Sequence, residues 1–351
     1  MKLFFFHFLF ALFVLIGSLK AQVDSNVKVR TKSLKFDTNY IKSYYDYLCI
    51  TAIGNHKSLE LGIENTLNSD YDLQYKPNTS MSYGVGIDYK WFTAEFTSKI
   101  PFLDANSSRK GKTESFGAGL GITGRKFWFT SFLQSYNGMY LSNPEVIDQN
   151  WNTDQDYPYR SDLKTVAIFS SVNYAFNSKK YSQMAALWQL DRQLKSAGTF
   201  VIGYSLALYA MHADSSIMPG ALIPFHPEES RIKASSSIYM GWNFGYAYNW
   251  IIKKKWIMHV SLIPRFVVQS QTSILQNDST IQYDKKIRGA SEGRFLFGKN
   301  TDRFYYGLGI TFNVFSDQLD ENAKLLYNFT YTRLFWGVRI DVDKRKKKRI
   351  H

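Results

Sequence analysis

A chain of 351 residues with 45% hydrophobic and 21% charged residues is too apolar for disorder, and its length suits one large domain or two modest ones. Its single cysteine, Cys49, excludes an intrachain disulfide and a cysteine-built zinc site, and six histidines leave little room for a multi-histidine metal centre. No cofactor is therefore expected, and the formal net charge of +14 raises the question of an anionic partner. Aromatic residues reach 17%, which is high for a soluble domain.

The chain opens with a signal peptide pattern over residues 1–21. Lys2 precedes an apolar run from Leu3 to Ile16, and Gly17 to Ala21 supply small residues, so cleavage is expected after Ala21. The run is shorter than the roughly 20 residues of a helical span. No later stretch is apolar enough for one. Residues 22–46 are polar and read as a periplasmic lead-in.

From there period-two alternation dominates. In 82–89, Tyr83, Val85, Ile87 and Tyr89 alternate with Ser82, Gly84, Gly86 and Asp88. In 113–123, Phe116, Ala118, Leu120 and Ile122 alternate with Gly117, Gly119 and Gly121. In 237–250, Ile238, Met240, Trp242, Phe244, Tyr246, Tyr248 and Trp250 form one row, and in 305–315, Tyr306, Leu308, Ile310, Phe312 and Val314 do the same. Segments 91–100, 162–176, 181–193, 199–212 and 256–269 behave similarly, 286–298 more weakly, and 126–137 ambiguously. Such runs exceed the five or six residues usual for soluble strands. Tyr and Trp gather at their ends, as at a membrane–water boundary. Large apolar rows opposite rows of Gly, Ser, Thr and Asn predict bulky side chains facing lipid and small polar ones facing a lumen.

The expectation is an all-β fold: a single antiparallel transmembrane β-barrel of about 12 strands, up to 14, over 47–342, ending in a basic tail over 343–351. Tight turns are predicted near Lys90, Gly124 and Arg125, 177–180, 253–255 and 299–301. Longer loops are predicted at 65–78, 101–112, 138–161, 213–233, 270–285 and 316–324. Segment 181–193 spoils this alternation, because it leaves three apparent strands between two long loops; a boundary there is wrong, or 194–198 is a short external loop. A phase shift near Tyr331 to Leu334 suggests a β-bulge.

Several motifs then occur in a fixed order: Leu73-Gln74-Tyr75-Lys76-Pro77-Asn78, Gly84-Val85-Gly86-Ile87-Asp88-Tyr89-Lys90-Trp91, Gly111-Lys112-Thr113, Gln134-Ser135-Tyr136-Asn137-Gly138-Met139-Tyr140, Arg192-Gln193-Leu194-Lys195-Ser196-Ala197-Gly198 and Gly245-Tyr246-Ala247-Tyr248-Asn249. The set resembles the domain-of-unknown-function family numbered 4421, proteins of Bacteroidota, over roughly residues 40–342. The resemblance implies an outer-membrane barrel and brings no catalytic residue.

Chemistry is expected only in the lumen. The inward-facing candidates are Asp88; Glu95 and Lys99, with Thr93 and Thr97; Asp191, with Gln183 and Gln189; His259 and Arg265, with Ser261 and Gln269; Arg288, Glu292 and Arg294; and Arg339. Both signs appear, which fits a salt-bridged interior or a polar path for a charged solute. His259 and Ser261, two apart on one strand face, offer a base and a nucleophile and so an alternative as an outer-membrane lipid hydrolase. That site type lies on the lipid side, whereas this row points inward. A third alternative is a soluble periplasmic β-barrel binding protein. The favoured function is non-enzymatic: a porin-like narrow solute channel or a structural component of the outer membrane. The expected partners are outer-membrane lipids, lipopolysaccharide phosphates that the tail 344–349 would meet, and a small polar solute, with no nucleic acid.

Overall fold

The structure is a computed structural model that describes residues 36–79, 81–99 and 107–342. The signal peptide, the cleavage position, the lead-in up to Lys35 and the basic tail lie outside the described residues.

Twelve long strands close into one antiparallel ring: β1 (Tyr47–Asn65), β2 (Ser82–Tyr89), β3 (Phe92–Lys99), β4 (Glu114–Thr123), β5 (Phe127–Leu141), β6 (Tyr159–Ala175), β7 (Ala197–His212), β8 (Ile232–Ile252), β9 (Trp256–Leu275), β10 (Thr280–Asn300), β11 (Phe304–Asp320) and β12 (Ala323–Asp341). Each pairs with its chain neighbour, and β12 pairs with β1 from Ala323↔Asn65 to Asp341↔Tyr47, which leaves the ring without an edge. Every backbone group of the wall can then bond within the protein, the condition for a sheet to stand in hydrocarbon.

The wall is uneven. β2 and β3 have 8 residues each, whereas β8 and β10 have 21. Above the low hairpin the strand Leu73–Lys76 bridges β1 to β5 and completes the rim. Both described chain ends lie at one end of the barrel, the terminal end, where tight turns join the strands. One such turn, Lys253-Lys254, takes the left-handed backbone at both residues (φ 48° and 56°), the geometry that follows the twist of a two-residue hairpin. The opposite, loop end carries 66–79, 107–113, 142–158 and 213–231, each of which bears a short helical turn.

The outer face answers the question posed by the alternation. Trp242, Phe244, Phe266, Phe312 and Trp336 are exposed, and Leu262 keeps 56% of its surface accessible. On β9 the outward row runs Met258, Val260, Leu262, Pro264, Phe266, Val268 and then turns to Ser270 and Thr272. The apolar part matches the ~9–11 residues with which a tilted strand crosses a bilayer. Trp91, Phe127, Trp250, Phe304 and Trp336 ring its terminal edge, all exposed.

Towards the loop end the two faces exchange roles without a break in register. β1 turns His56, Ser58, Glu60 and Glu64 outward and Leu59, Leu61 and Ile63 inward, each of these three at most 1% exposed. β12 does likewise, with Asn328 and Thr330 outside and Leu325, Tyr327 and Phe329 inside. This exchange corrects the expected bulge near Tyr331: the pairing of β12 with β11 and β1 runs straight through 331–334, and Tyr331 and Arg333 keep the inward parity. The strand leaves the apolar belt there and continues as the wall of a water-surrounded barrel with its own core.

Three further expectations change. Segment 181–193 is not a strand: it turns into the lumen as the short helix α1 (Gln183–Leu187) followed by Asp191–Gln193, which pairs only with Ile41–Ser43. That removes the surplus strand and restores the alternation of ends. Segments 270–285 and 316–324 are not long loops, since β9 and β10 meet in a turn at 276–279 and β11 and β12 at 321–322. Polar residues on both rows, such as Gln269, Ser270, Gln271 and Thr272, had made the upper strand resemble a loop.

Candidate functional site

The lumen has three levels. At the terminal end lies the inserted segment. α1 is capped by Ser182, whose Oγ accepts from Ala185 N at 3.2 Å, and it ends at Gln189, which takes the left-handed conformation (φ 59°) that glycine normally supplies after a helix. Wall residues hold this costly turn. Asn300 Nδ2 donates to Gln189 Oε1 at 2.7 Å and to the Asp191 carbonyl at 2.9 Å, and Arg339 donates to the Gln189 carbonyl and to Asn300 Oδ1. Asp191, fully buried, pairs with Arg125 and accepts from Ser182. Asn249 Nδ2 donates to the Ser182 carbonyl at 3.0 Å. Trp188 seats against Gly121, where a Cβ would come within 3.1 Å of its ring.

The N-terminal segment covers this plug from below. Tyr44 N bonds to the Leu190 carbonyl and Leu194 N to the Tyr40 carbonyl. Asp302, in the turn between β10 and β11, accepts from Lys42 and Arg192, both at 2.9 Å, and from Tyr44. The bonds from Lys42 and Tyr44 hold its carboxyl well below the usual carboxylate range. Burial, and then the bond to Asp302, push the Tyr44 phenol up.

At the loop end Phe169, Tyr209, Tyr239, Phe315, Tyr327 and Phe329 are packed ring to ring. Tyr209 stacks on Tyr327 with centroids 4.5 Å apart, and Tyr239 lies 4.9 Å from Phe315. Ile217, Met218 and Leu222 of the 213–231 loop join the same core.

Between these levels is a chamber. Its walls include Lys57, Glu95, Trp188, Arg265, Glu292, Arg294 and Arg333. Arg333 pairs with Glu95, and Arg265 pairs with Glu292, which also accepts from Arg294 at 3.2 Å. Arg265 donates as well to Asn313 Oδ1 at 2.9 Å. Lys57 donates to Thr97 Oγ1 at 2.8 Å and lies over the Tyr331 ring. Gly117 is needed at this level, because a Cβ there would stand 2.1 Å from Lys57 Nζ. The glycines of β4 make room for the contents of the lumen.

The sequence-derived candidates therefore fall into separate places. Glu95, Arg265, Glu292 and Arg294 meet in the chamber. Asp191 and Arg339 fix the plug, and Asp191 sits on the plug itself, not on a wall strand. Asp88 is buried in the low wall, accepting from Thr93 Oγ1 at 2.7 Å. Arg288 is half-buried, 3.2 Å from Gln269 Oε1. The Lys99 side chain lies outside the described residues. His259 and Ser261 share the inward face, but His259 Nδ1 contacts Asn249 Oδ1 at 2.8 Å and Nε2 has no hydrogen-bond partner, so no His–Ser bond exists. Neither residue lines the chamber.

Lys57, Arg333 and Trp188 escaped the sequence reading. Lys57 stands on β1, whose upper half has its apolar row inside; Arg333 stands at the supposed phase shift; Trp188 was assigned to a strand. Following one parity along all of β12 would have placed Arg333 in the row with Phe335 and Arg339.

Among curated proteins no relative matches. Among solved structures, the outer membrane protease OmpT from Escherichia coli is similar at 9% identity and a TM-score of 0.39, over 85% of this chain and 98% of that one. The toluene transporter TodX of Pseudomonas putida is similar at 7% identity and a TM-score of 0.29, over 84% and 90%. OmpT, an outer membrane protein of Vibrio cholerae, is similar at 8% identity and a TM-score of 0.27, over 82% and 98%. The family model described as Domain of unknown function (DUF4421) matches residues 35–340, the whole of the barrel up to the last turn of β12, and the chain belongs to that family.

Proposed function

We propose that the protein is a gated barrel of the bacterial outer membrane, with its terminal end in the periplasm, and that it admits a small polar solute to the chamber when the 181–193 plug moves. The observation that carries this reading is how the plug is attached. Its backbone pairs with Ile41–Ser43 and not with any wall strand, and its ties to the wall run through side chains: Arg125, Asn249, Asn300 and Arg339. The plug and the N-terminal segment can leave the lumen without breaking one hydrogen bond of the barrel ladder. A purely structural barrel has no use for an enclosed charged chamber above a detachable floor, because buried ion pairs of this kind seldom stabilise.

Planar-bilayer recording tests it. Because the ring-to-ring core also closes the loop end, wild type and Arg125→Ala combined with Arg339→Ala are both expected to be nearly silent, and discrete conductance steps are expected when Tyr209→Ala is added to that pair. Silence of the triple variant would favour the structural envelope component. We infer no lipid hydrolysis at His259 and Ser261, since the pair faces the lumen, is unbonded and is tied into plug docking through Asn249; an envelope phospholipase activity lost in Ser261→Ala would reverse that inference. Lipid is the expected surround of the belt. The rim lysines Lys126, Lys253, Lys254 and Lys255, all exposed, stand where phospholipid phosphates of the periplasmic leaflet would lie.

A further inference from the structure

We propose that the chamber is a binding site for a small organic anion with an apolar body, its carboxylate held by Lys57 within the surplus positive charge of the wall arginines; this rests on the reading that the chamber can be reached. The charge on the walls is unbalanced. Four cations, Lys57, Arg265, Arg294 and Arg333, face two carboxylates, Glu95 and Glu292. Glu292 is shared by two arginines, and Glu95, paired with Arg333, is also the carboxylate nearest in charge to Lys57, whose own direct contacts are the Thr97 hydroxyl and an aromatic face. Lys57 is 7% exposed. An ammonium buried so deeply with only a shared counter-ion is costly, and an incoming anion would lower the cost.

The Lys57 ammonium is a donor only, so it selects a ligand that brings acceptors, which a carboxylate does and an amine does not. The remaining wall is greasy: Phe132, Phe169, Leu296, Phe329 and Phe335 face the same space. An inorganic anion would meet the charges and leave the apolar half of the lining without a contact, whereas a carboxylate on a ring or short chain uses both halves.

The probe is 3-phenylpropionate, titrated calorimetrically into the full-length protein in neutral detergent beside 3-phenylpropanol and 3-phenylpropylamine. Each titration is repeated on Arg125→Ala, so that a closed floor cannot hide the site. The acid is expected to bind saturably, with alcohol and amine at least about tenfold weaker, as a lost charge-assisted bond requires. Lys57→Met is expected to weaken the acid about tenfold and Arg294→Gln, which removes one surplus charge, severalfold, whereas Trp188→Phe in the floor is expected to leave binding unchanged. Heat-modifiable gel mobility confirms that each variant forms the barrel. Absence of binding by the acid in both backgrounds, equal binding of the alcohol, or unchanged binding in folded Lys57→Met and Arg294→Gln would overturn the proposal. Binding without conductance in the variant opened at both ends leaves this site standing and removes the conduit; conductance without binding does the reverse.

Discussion

The two halves of the barrel are built from the same strands and obey opposite rules. In the terminal half the large side chains point away from the axis: Phe244, Tyr246 and Trp250 on β8, Leu262 on β9, Trp336 on β12. In the loop half they point toward it: Leu59, Leu61 and Ile63 on β1, Tyr239 on β8, Phe315 on β11, Tyr327 on β12. The register does not change between the halves, so the difference comes from what surrounds the wall. Lipid accepts apolar groups on the outside and leaves the inside for polar contacts; water outside reverses the preference. The chamber sits near this crossover, which is why ion pairs and aromatic rings share its lining.

Four experiments can break or sharpen this contrast. The largest effect is expected from Phe315→Ala, which empties a ring position 2% exposed in the loop-half core. It should cost about 3–5 kcal/mol, read as a lower denaturant midpoint for folding into vesicles. A charge in the lipid belt comes next. Leu262→Arg should lose about 2–4 kcal/mol in the same titration. Ser270→Arg, eight residues further up the same outer face, should change stability by less than ~0.5 kcal/mol. Equal penalties at the two positions would mean that lipid reaches the loop half and that the contrast is mistaken.

The third experiment addresses the lumen under the belt. Asp191→Asn leaves Arg125 beside a neutral amide at a site where the carboxylate is fully buried. Breaking such a pair costs about 3–5 kcal/mol, here expected to fall on plug docking and not on the ring. Hydrogen exchange should quicken at 183–193 while β8 and β9 stay protected; uniform loss of protection would show that plug and wall form one cooperative unit. The smallest effect concerns pH. Because the folded Asp302 carboxyl titrates below its unfolded value, its contribution is complete above the usual carboxylate range near pH 4 and disappears as pH falls below it. Exchange at 41–44 should therefore rise only in acid, and Asp302→Asn should show the raised rate at neutral pH. Asp302 is largely solvated, so screening keeps this effect modest.

The belt was legible in the sequence because lipid imposes a strict alternation, and Trp242, Phe244, Leu308 and Phe312 all take the outer parity. The closed ring of twelve strands lies within the expected count. The plug was not legible. Its residues alternate as Gln183, Ala185, Leu187, Gln189 and Asp191 against Met184, Ala186, Trp188 and Leu190, which imitates a strand. The structure buries nearly all of both rows because the segment is surrounded by wall on every side. Four of the six charged residues of the chamber were found by parity: Glu95, Arg265, Glu292 and Arg294. Lys57 and Arg333 needed the knowledge that the apolar row changes sides while the parity persists, and that depends on the height of the bilayer, which no local pattern encodes.

The seam between β1 and β12 has a consequence for biogenesis. It joins Tyr47 to Asp341 and Asn65 to Ala323, residues near opposite ends of the polypeptide. Contacts so distant along the chain form late, after most of the loop-closure entropy has been lost. Until the last strand arrives, β1 presents a ladder of unpaired amides and carbonyls able to recruit any neighbouring strand. A chain truncated before Ala323 should accordingly fail by aggregation instead of inserting as a smaller ring, so this protein depends on being shielded until its final segment is delivered.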